Sequence, residues 1–338
     1  MIEKNNLFKF ATSELTNDAM ICYLVNLSID ERIEYKNLGK DIINLFTKKR
    51  IENIKSIDII RQYKKIDILI KVNDDELIII EDKVNTGQHS DQLNRYIKAI
   101  EDDNNDDIRF RNKNYVYLKI GNESQYQSLN ICYEGKDKLK NNQYLYISRK
   151  MLLNVLNNYK DVINNDIIKE YIEYLEDKEE LFNSYKLEDK LDKWTWGFEG
   201  YFDELQRKKK IKNKCWGFVS NSSGGFLGFW WNFKNKEYSI LENNLKQYYI
   251  YIQIEAYPKI PTRVVLKVEC YDKEVRRDIR NYVWNNLKPL LVDEPFSKTK
   301  FADGNWMTIA EKWCETKEEL TEAISRAEYI LLNLDKKL

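Results

Sequence analysis

The chain has 338 residues and a mass of 40.7 kDa, with 43% apolar residues, 33% charged residues, and 55 basic side chains against 55 acidic ones. At roughly 100–200 residues per domain that length predicts two domains, and the apolar fraction excludes global disorder. The charge balance excludes a generally basic nucleic-acid coat protein and leaves room for a local basic groove.

No apolar run approaches the ~18 residues of a membrane-spanning helix, and Met1–Phe10 carries Glu3, Lys4 and Lys9, unlike a secretory leader. The five cysteines are dispersed, without a C-x-x-C pair, as expected of reduced thiols in a cytoplasmic protein. The single histidine, His89, excludes a His-rich metal site and an H-E-x-x-H protease. Any metal must therefore sit on carboxylates, which favour hard cations. Abundant Asn, Lys and Ile fit an A/T-rich bacterial or phage genome.

In chain order, Thr12 or Ser13 is placed to cap a helix with Leu15, Ala19, Cys22, Tyr23 and Leu27 on its buried stripe. A second helix carries Leu38, Ile42, Leu45 and Phe46. Three extended runs follow, 54–60, 66–72 and 77–84, the last two joined by a turn at Asn73-Asp74-Asp75. A helix is predicted from about Ser90 to Ile100, then strands over 115–121 and 143–147, and a helix capped by Ser148. The charged helix 166–186 closes this part, and all eight tryptophans lie after residue 190. The expected domains are 1–187 and 188–338. In the second, 248–257 and 264–271 alternate as strands, 272–287 is a helix, and Thr316 with Glu319 forms a capping box for the last helix. That pattern predicts an α+β module with a sheet covered by two helices.

The chemistry is concentrated between Lys65 and Tyr96. Asp67 opens one strand, and Glu81, Asp82 and Lys83 end the next. Strand periodicity puts Glu81 and Lys83 on one face and Asp82 on the other. The preceding Leu77–Ile80 is apolar on both faces, as in a central buried strand. Asp67 lies opposite Glu81 only if the turn is centred on Asp74, which a four-residue turn at 73–76 forbids. Two facing carboxylates repel unless a cation intervenes. A divalent ion there relieves the repulsion and activates water against a phosphate ester. Lys83 would orient that water, take its proton if its pKa were depressed, or stabilise charge.

Asp67 with Glu81-Asp82-Lys83 resembles the signature of the PD-(D/E)XK nuclease superfamily, with Ile66 in place of the proline of its name. Gln92-Leu-Asn-Arg-Tyr96 resembles the Q-x-x-x-Y motif of its RecB-like members, and 10–19 resembles the opening helix of a bacterial branch. The resemblance covers about 7–160. It implies an α/β fold with a restriction-endonuclease-like αβββαβ core beside the second α+β domain. It implies that Asp67, Glu81 and the Asp82 carbonyl bind Mg²⁺ or Mn²⁺, that Glu14 faces the metal, and that Gln92 and Tyr96 contact substrate. The activity implied is phosphodiester hydrolysis, with DNA the favoured nucleic-acid partner, in phage defence, restriction or repair. A catalytically degenerate relative that binds nucleic acid or a protein is the alternative.

Blander readings stand beside these. Asp67, Glu81 and Lys83 also suit a buried structural salt bridge, Gln92 and Tyr96 plain helix packing, and Glu14 a helix start. Asp82 is expected to pair with a helix residue, and His89 to lie on a surface loop or touch a phosphate. The basic run 207–214 is either a solvated helix end or a phosphate contact. The Trp- and Tyr-rich stretch 216–257 is expected to be core, or else a surface for base stacking, dimerisation or a protein partner.

Overall fold

The computed structural model describes residues 5–84, 92–103, 110–124, 144–213, 215–221, 224–239, 245–257, 260–292 and 294–338. The chain divides into two compact units between Glu180 and Leu181. His89, Cys132 and Lys214 lie outside the described residues.

In the first unit, α1 (Glu14–Asn26) and α2 (Ile33–Leu45) precede β1 (Ile57–Tyr63), β2 (Ile66–Val72) and β3 (Glu76–Lys83). Then come α3 (Gln92–Glu101), β4 (Asn112–Lys119), β5 (Leu145–Ser148), α4 (Arg149–Asn157) and α5 (Asp166–Asn183). The strands form one sheet in the order β1-β2-β3-β4-β5, antiparallel from β1 to β3 and parallel from β3 to β5. Every residue of β3 is buried, as its two-sided apolar run requires. Leu77 and Ile79 pack with Leu93, Tyr96 and Ile97 of α3. Ile78 and Ile80 pack with residues of α1, α2, α4 and α5. Each such isoleucine contributes about 1.5–3 kcal/mol by leaving water.

Ser13 caps α1, its hydroxyl accepting from the Thr16 N–H at 3.2 Å, and Ser148 caps α4 in the same way. The buried stripe of α1 differs from the expected one. Asn17, Met20, Ile21, Leu24 and Val25 face inward, whereas Leu15 is 58% exposed. The helix is rotated so that the polar Asn17 faces inward, where it bonds to Asp82 and Tyr171.

In the second unit, α6 (Gly197–Lys208) leads into β6 (Trp216–Val219), β7 (Phe226–Ser239), β8 (Leu245–Ala256) and β9 (Thr262–Glu269). α7 (Arg276–Leu287), β10 (Ser297–Lys298), β11 (Trp306–Cys314) and α8 (Lys317–Asp335) complete it. The antiparallel sheet runs β10-β11-β9-β8-β7-β6. Ile250, Ile252, Ile254 and Ala256 enter one core with Phe202 of α6, Ile279 of α7 and Leu320 of α8. Three helices rather than two therefore cover the sheet, α6 being the one the periodicity did not show. Gly224 and Gly225, at φ 105° and 100°, turn β6 into β7, a conformation that glycine adopts without strain. The capping box is present, with Thr316 Oγ1 accepting from Glu319 N–H and Glu319 from Glu315 N–H. Among the described residues, no helix is long and apolar enough to cross a membrane.

Candidate active site

The β2–β3 register sets the site. Val72 pairs with Glu76 and Ile68 with Ile80, so the connecting turn is Asn73–Asp75, three residues long, with Asn73 at φ 52°. Continuing one step beyond Ile68–Ile80 places Asp67 beside Glu81, as the turn argument requires. Asp67 Oδ2 accepts the Asp82 N–H at 2.9 Å, which fixes the acid against the end of β3.

Glu81 is 1% exposed, and neither carboxylate oxygen has a well-formed hydrogen bond. Lys83 Nζ stands 2.5 Å from its Oε1 and donates to the Asp82 carbonyl at 3.2 Å. Glu14 Oε2, at the start of α1, lies 3.7 Å from the same ammonium. Burial first, then repulsion from Asp67, pushes the Glu81 carboxyl up to about 8. Burial works against the charge on Lys83, but the close Glu81 carboxylate and the charges of Glu14 and Asp67 outweigh it and raise its pKa.

Asp82 points to the other side of the sheet, as its strand parity requires. Its Oδ2 accepts from Asn17 Nδ2 at 2.8 Å, and Asn17 Oδ1 accepts from Tyr171 OH at 2.6 Å. Burial pushes the Asp82 carboxyl far up, with Asp18 and Asp67 adding to the rise against the Asn17 hydrogen bond. Asp18 is 1% exposed and raised to about 6, by burial first and then by Asp67.

Gln92 and Tyr96 face each other one turn apart, with Gln92 Nε2 donating to Tyr96 OH at 2.6 Å. Tyr96 is 7% exposed and packs among Leu93, Ile97 and Tyr115. Burial raises its phenol pKa, and the charges of Glu81 and Asp67 add to the rise.

Two residues near the site escape a sequence reading. Asp18 is one, although its i,i+4 spacing from Glu14 put both on one face of α1. Lys119 is the other: it pairs in register with Lys83 across the parallel strands and is 3% exposed. Nothing in the sequence marks it beyond its place at the end of an apolar strand.

Among the described residues, no group of three or more His, Cys, Asp or Glu side chains is placed to hold a metal ion. What converges is two carboxylates and a carbonyl. That donor set suits a hard cation that keeps several waters. The buried, poorly bonded oxygens of Glu81 fit such an ion, and the Lys83 ammonium now fills the place between Glu81 and the Asp82 carbonyl.

The family description that matches this chain is the PD-(D/E)XK nuclease superfamily, over residues 12–186, just over half of the chain. The chain belongs to the PD-(D/E)XK nuclease superfamily. Neither curated proteins nor solved structures give a significant match. A mixed α/β sheet unit followed by an antiparallel sheet unit is consistent with a PD-(D/E)XK core.

In the second unit the basic run behaves as a helix end. Arg207 pairs with Asp203 at 3.3 Å, Lys208 with Glu204, and Lys209 with Glu328 at 2.5 Å. Trp194, Trp216 and Trp231 are core residues, while Trp306 is 56% exposed.

Proposed function

We propose that this superfamily member is a metal-dependent nuclease that hydrolyses phosphodiester bonds in DNA. The observation that carries the reading is that Glu81 and the Asp82 carbonyl meet at one positive charge, supplied by Lys83, with Asp67 held beside them by the Asp82 N–H. Asp67, Glu81 and the Asp82 carbonyl would hold Mg²⁺ or Mn²⁺, with Glu14 facing it. The ion supplies Lewis-acid charge at the phosphate and a more acidic water. Lys83 donates hydrogen bonds that orient the attacking water and offset charge on the pentavalent transition state. Gln92 and Tyr96, fixed to each other on α3, would position a substrate phosphate. A role in phage defence, restriction or repair follows by analogy alone.

Cleavage of duplex DNA, single-stranded DNA and RNA is to be followed with Mg²⁺, Mn²⁺ and EDTA. The expected result is divalent-dependent DNA cleavage that falls at least about a hundredfold in Asp67→Ala and in Lys83→Ala. Cleavage that survives Asp67→Ala places the site elsewhere. No cleavage of any substrate, with no metal binding by calorimetry, supports a degenerate relative that binds nucleic acid or a protein partner.

A further inference from the structure

The outer face of the second sheet treats its acids unequally. Alternation along β9 sends Val264, Leu266 and Val268 into the helix-covered core and Arg263, Lys267 and Glu269 to the other side. On that side Glu255 is matched by Arg263 at 2.6 Å and Lys267 at 3.5 Å, and Glu311 by Arg263 at 2.6 Å. Glu269 has no cation partner among the described residues. What it holds instead is a pair of rings. Trp306 of β11 and Tyr249 of β8 are its direct cross-strand partners, so the three side chains share one face. Trp306 Nε1 donates to Glu269 Oε1 at 3.0 Å, and Tyr271 OH donates to the same oxygen at 2.5 Å.

The two rings lie 6.2 Å apart at 78°, and both are open to solvent, Tyr271 at 62% and Trp306 at 56%. Perpendicular rings make a corner in which one guest meets two π faces, the arrangement that binds alkylated ammonium ions. Glu269 adds the opposite charge at the same place. Three other guests fit less well. A primary ammonium is strongly hydrated and gives up its water reluctantly to an open aromatic corner. A guanidinium fork needs both carboxylate oxygens, and Oε1 already accepts two bonds. A nucleobase stacked here would bring its phosphates beside an acid with no counter-charge.

We propose that Tyr271, Trp306 and Glu269 form a binding site for a methylated ammonium group, with Tyr249 beside it. The site lies wholly within the second unit and stands apart from the nuclease reading. It explains why two large aromatic side chains are tied to one carboxylate in water instead of being buried, and why that carboxylate lacks the cation that Glu255 and Glu311 have.

The test uses the full chain labelled with fluorotryptophan and reads the fluorine NMR line of Trp306, identified as the line absent from Trp306→Phe. Choline chloride is expected to shift that line with a dissociation constant on the order of 1–10 mM. Its neutral isostere, with carbon in place of the ammonium nitrogen, should bind at least about tenfold more weakly. Glu269→Gln keeps an oxygen for both ring donors and removes only the charge. It should weaken choline binding about tenfold while the other tryptophan lines stay in place, which shows that the fold is intact. A peptide carrying trimethyllysine is the second probe. Tighter binding than choline puts the ammonium on a partner protein and weaker binding puts it on a free small molecule, and either result supports the site. Equal binding of choline and its isostere overturns the proposal, as does wild-type affinity in Glu269→Gln. A Trp306 line that ignores both ammonium probes but moves with single-stranded oligothymidylate in EDTA overturns it in favour of base stacking.

Discussion

Asp82 ties the two faces of the site together. Its N–H holds Asp67, its carbonyl accepts from Lys83, and its carboxyl accepts from Asn17, which Tyr171 orients in turn. A buried polar group that loses its partner costs far more than the net worth of the bond. Asn17→Ala is therefore expected to destabilise the chain by about 2 kcal/mol in urea titrations read by circular dichroism. Tyr171→Phe removes only the outer bond, and about 1 kcal/mol should be lost. An Asn17→Ala variant as stable as the wild type would show that water satisfies Asp82 and that this network does not brace the strand.

At the scale of elements, the site depends on how β3 and β4 end together. Ile120 N–H donates to the Lys83 carbonyl at 3.0 Å, and a Cβ on Gly121 would meet the Val84 carbonyl oxygen at 2.0 Å. Backbone cannot yield as a flexible side chain does, so the end of β3 must move. Gly121→Ala is expected to cost about 2 kcal/mol and to depress cleavage by shifting Lys83. Gly304→Ala, with nothing within 4 Å, serves as the neutral control, and equal behaviour of the two variants in melting and cleavage assays would refute the close-approach argument. The same elements show how far the sequence is legible. β2 lies at 66–72 as read, because its alternation and the Asn73–Asp75 turn signal agree. β1 lies three residues beyond the expected 54–60, because its hairpin turns on Lys64 and Lys65, which carry no turn signal. The stripe of α1 differs from the expected one because inward residues include polar ones, and Asn17 is held there by Asp82 of a distant strand. α6 escaped notice because Gly197 and Gly200 interrupt a segment crowded with aromatics. Motif spacing finds Asp67, Glu81 and Lys83, but Asp18 and Lys119 come to the site only through packing.

At the scale of the whole molecule, the tryptophans separate two signals. All eight follow residue 190, whereas Asp67, Glu81 and Lys83 belong to the first unit, and the hydrophobic clusters close within their own units. Tryptophan fluorescence thus reports the second core alone, where Glu255 is the most heavily engaged buried acid. It accepts from Gln253 at 3.0 Å, Tyr257 at 2.6 Å and Arg263 at 2.8 and 2.6 Å, with Lys267 Nζ at 3.5 Å. Burial opposes its charge, but Lys267 and Arg263 outweigh burial and hold its pKa below the ordinary value of 4.5. A depressed carboxyl adds stability above its unfolded pKa and loses it as pH falls through the folded one. The wild-type fluorescence midpoint in urea should therefore drop as pH falls below about 4.5. Glu255→Gln should flatten that drop while costing about 3 kcal/mol at pH 7, because Arg263 and Lys267 lose their counter-charge. Ile78→Ala, in the first core, should lower stability by about 3 kcal/mol in circular dichroism and leave the fluorescence midpoint in place. Fluorescence that follows Ile78→Ala would mean that the two cores unfold as one cooperative body, and Glu255 would then set the acid limit of the site as well.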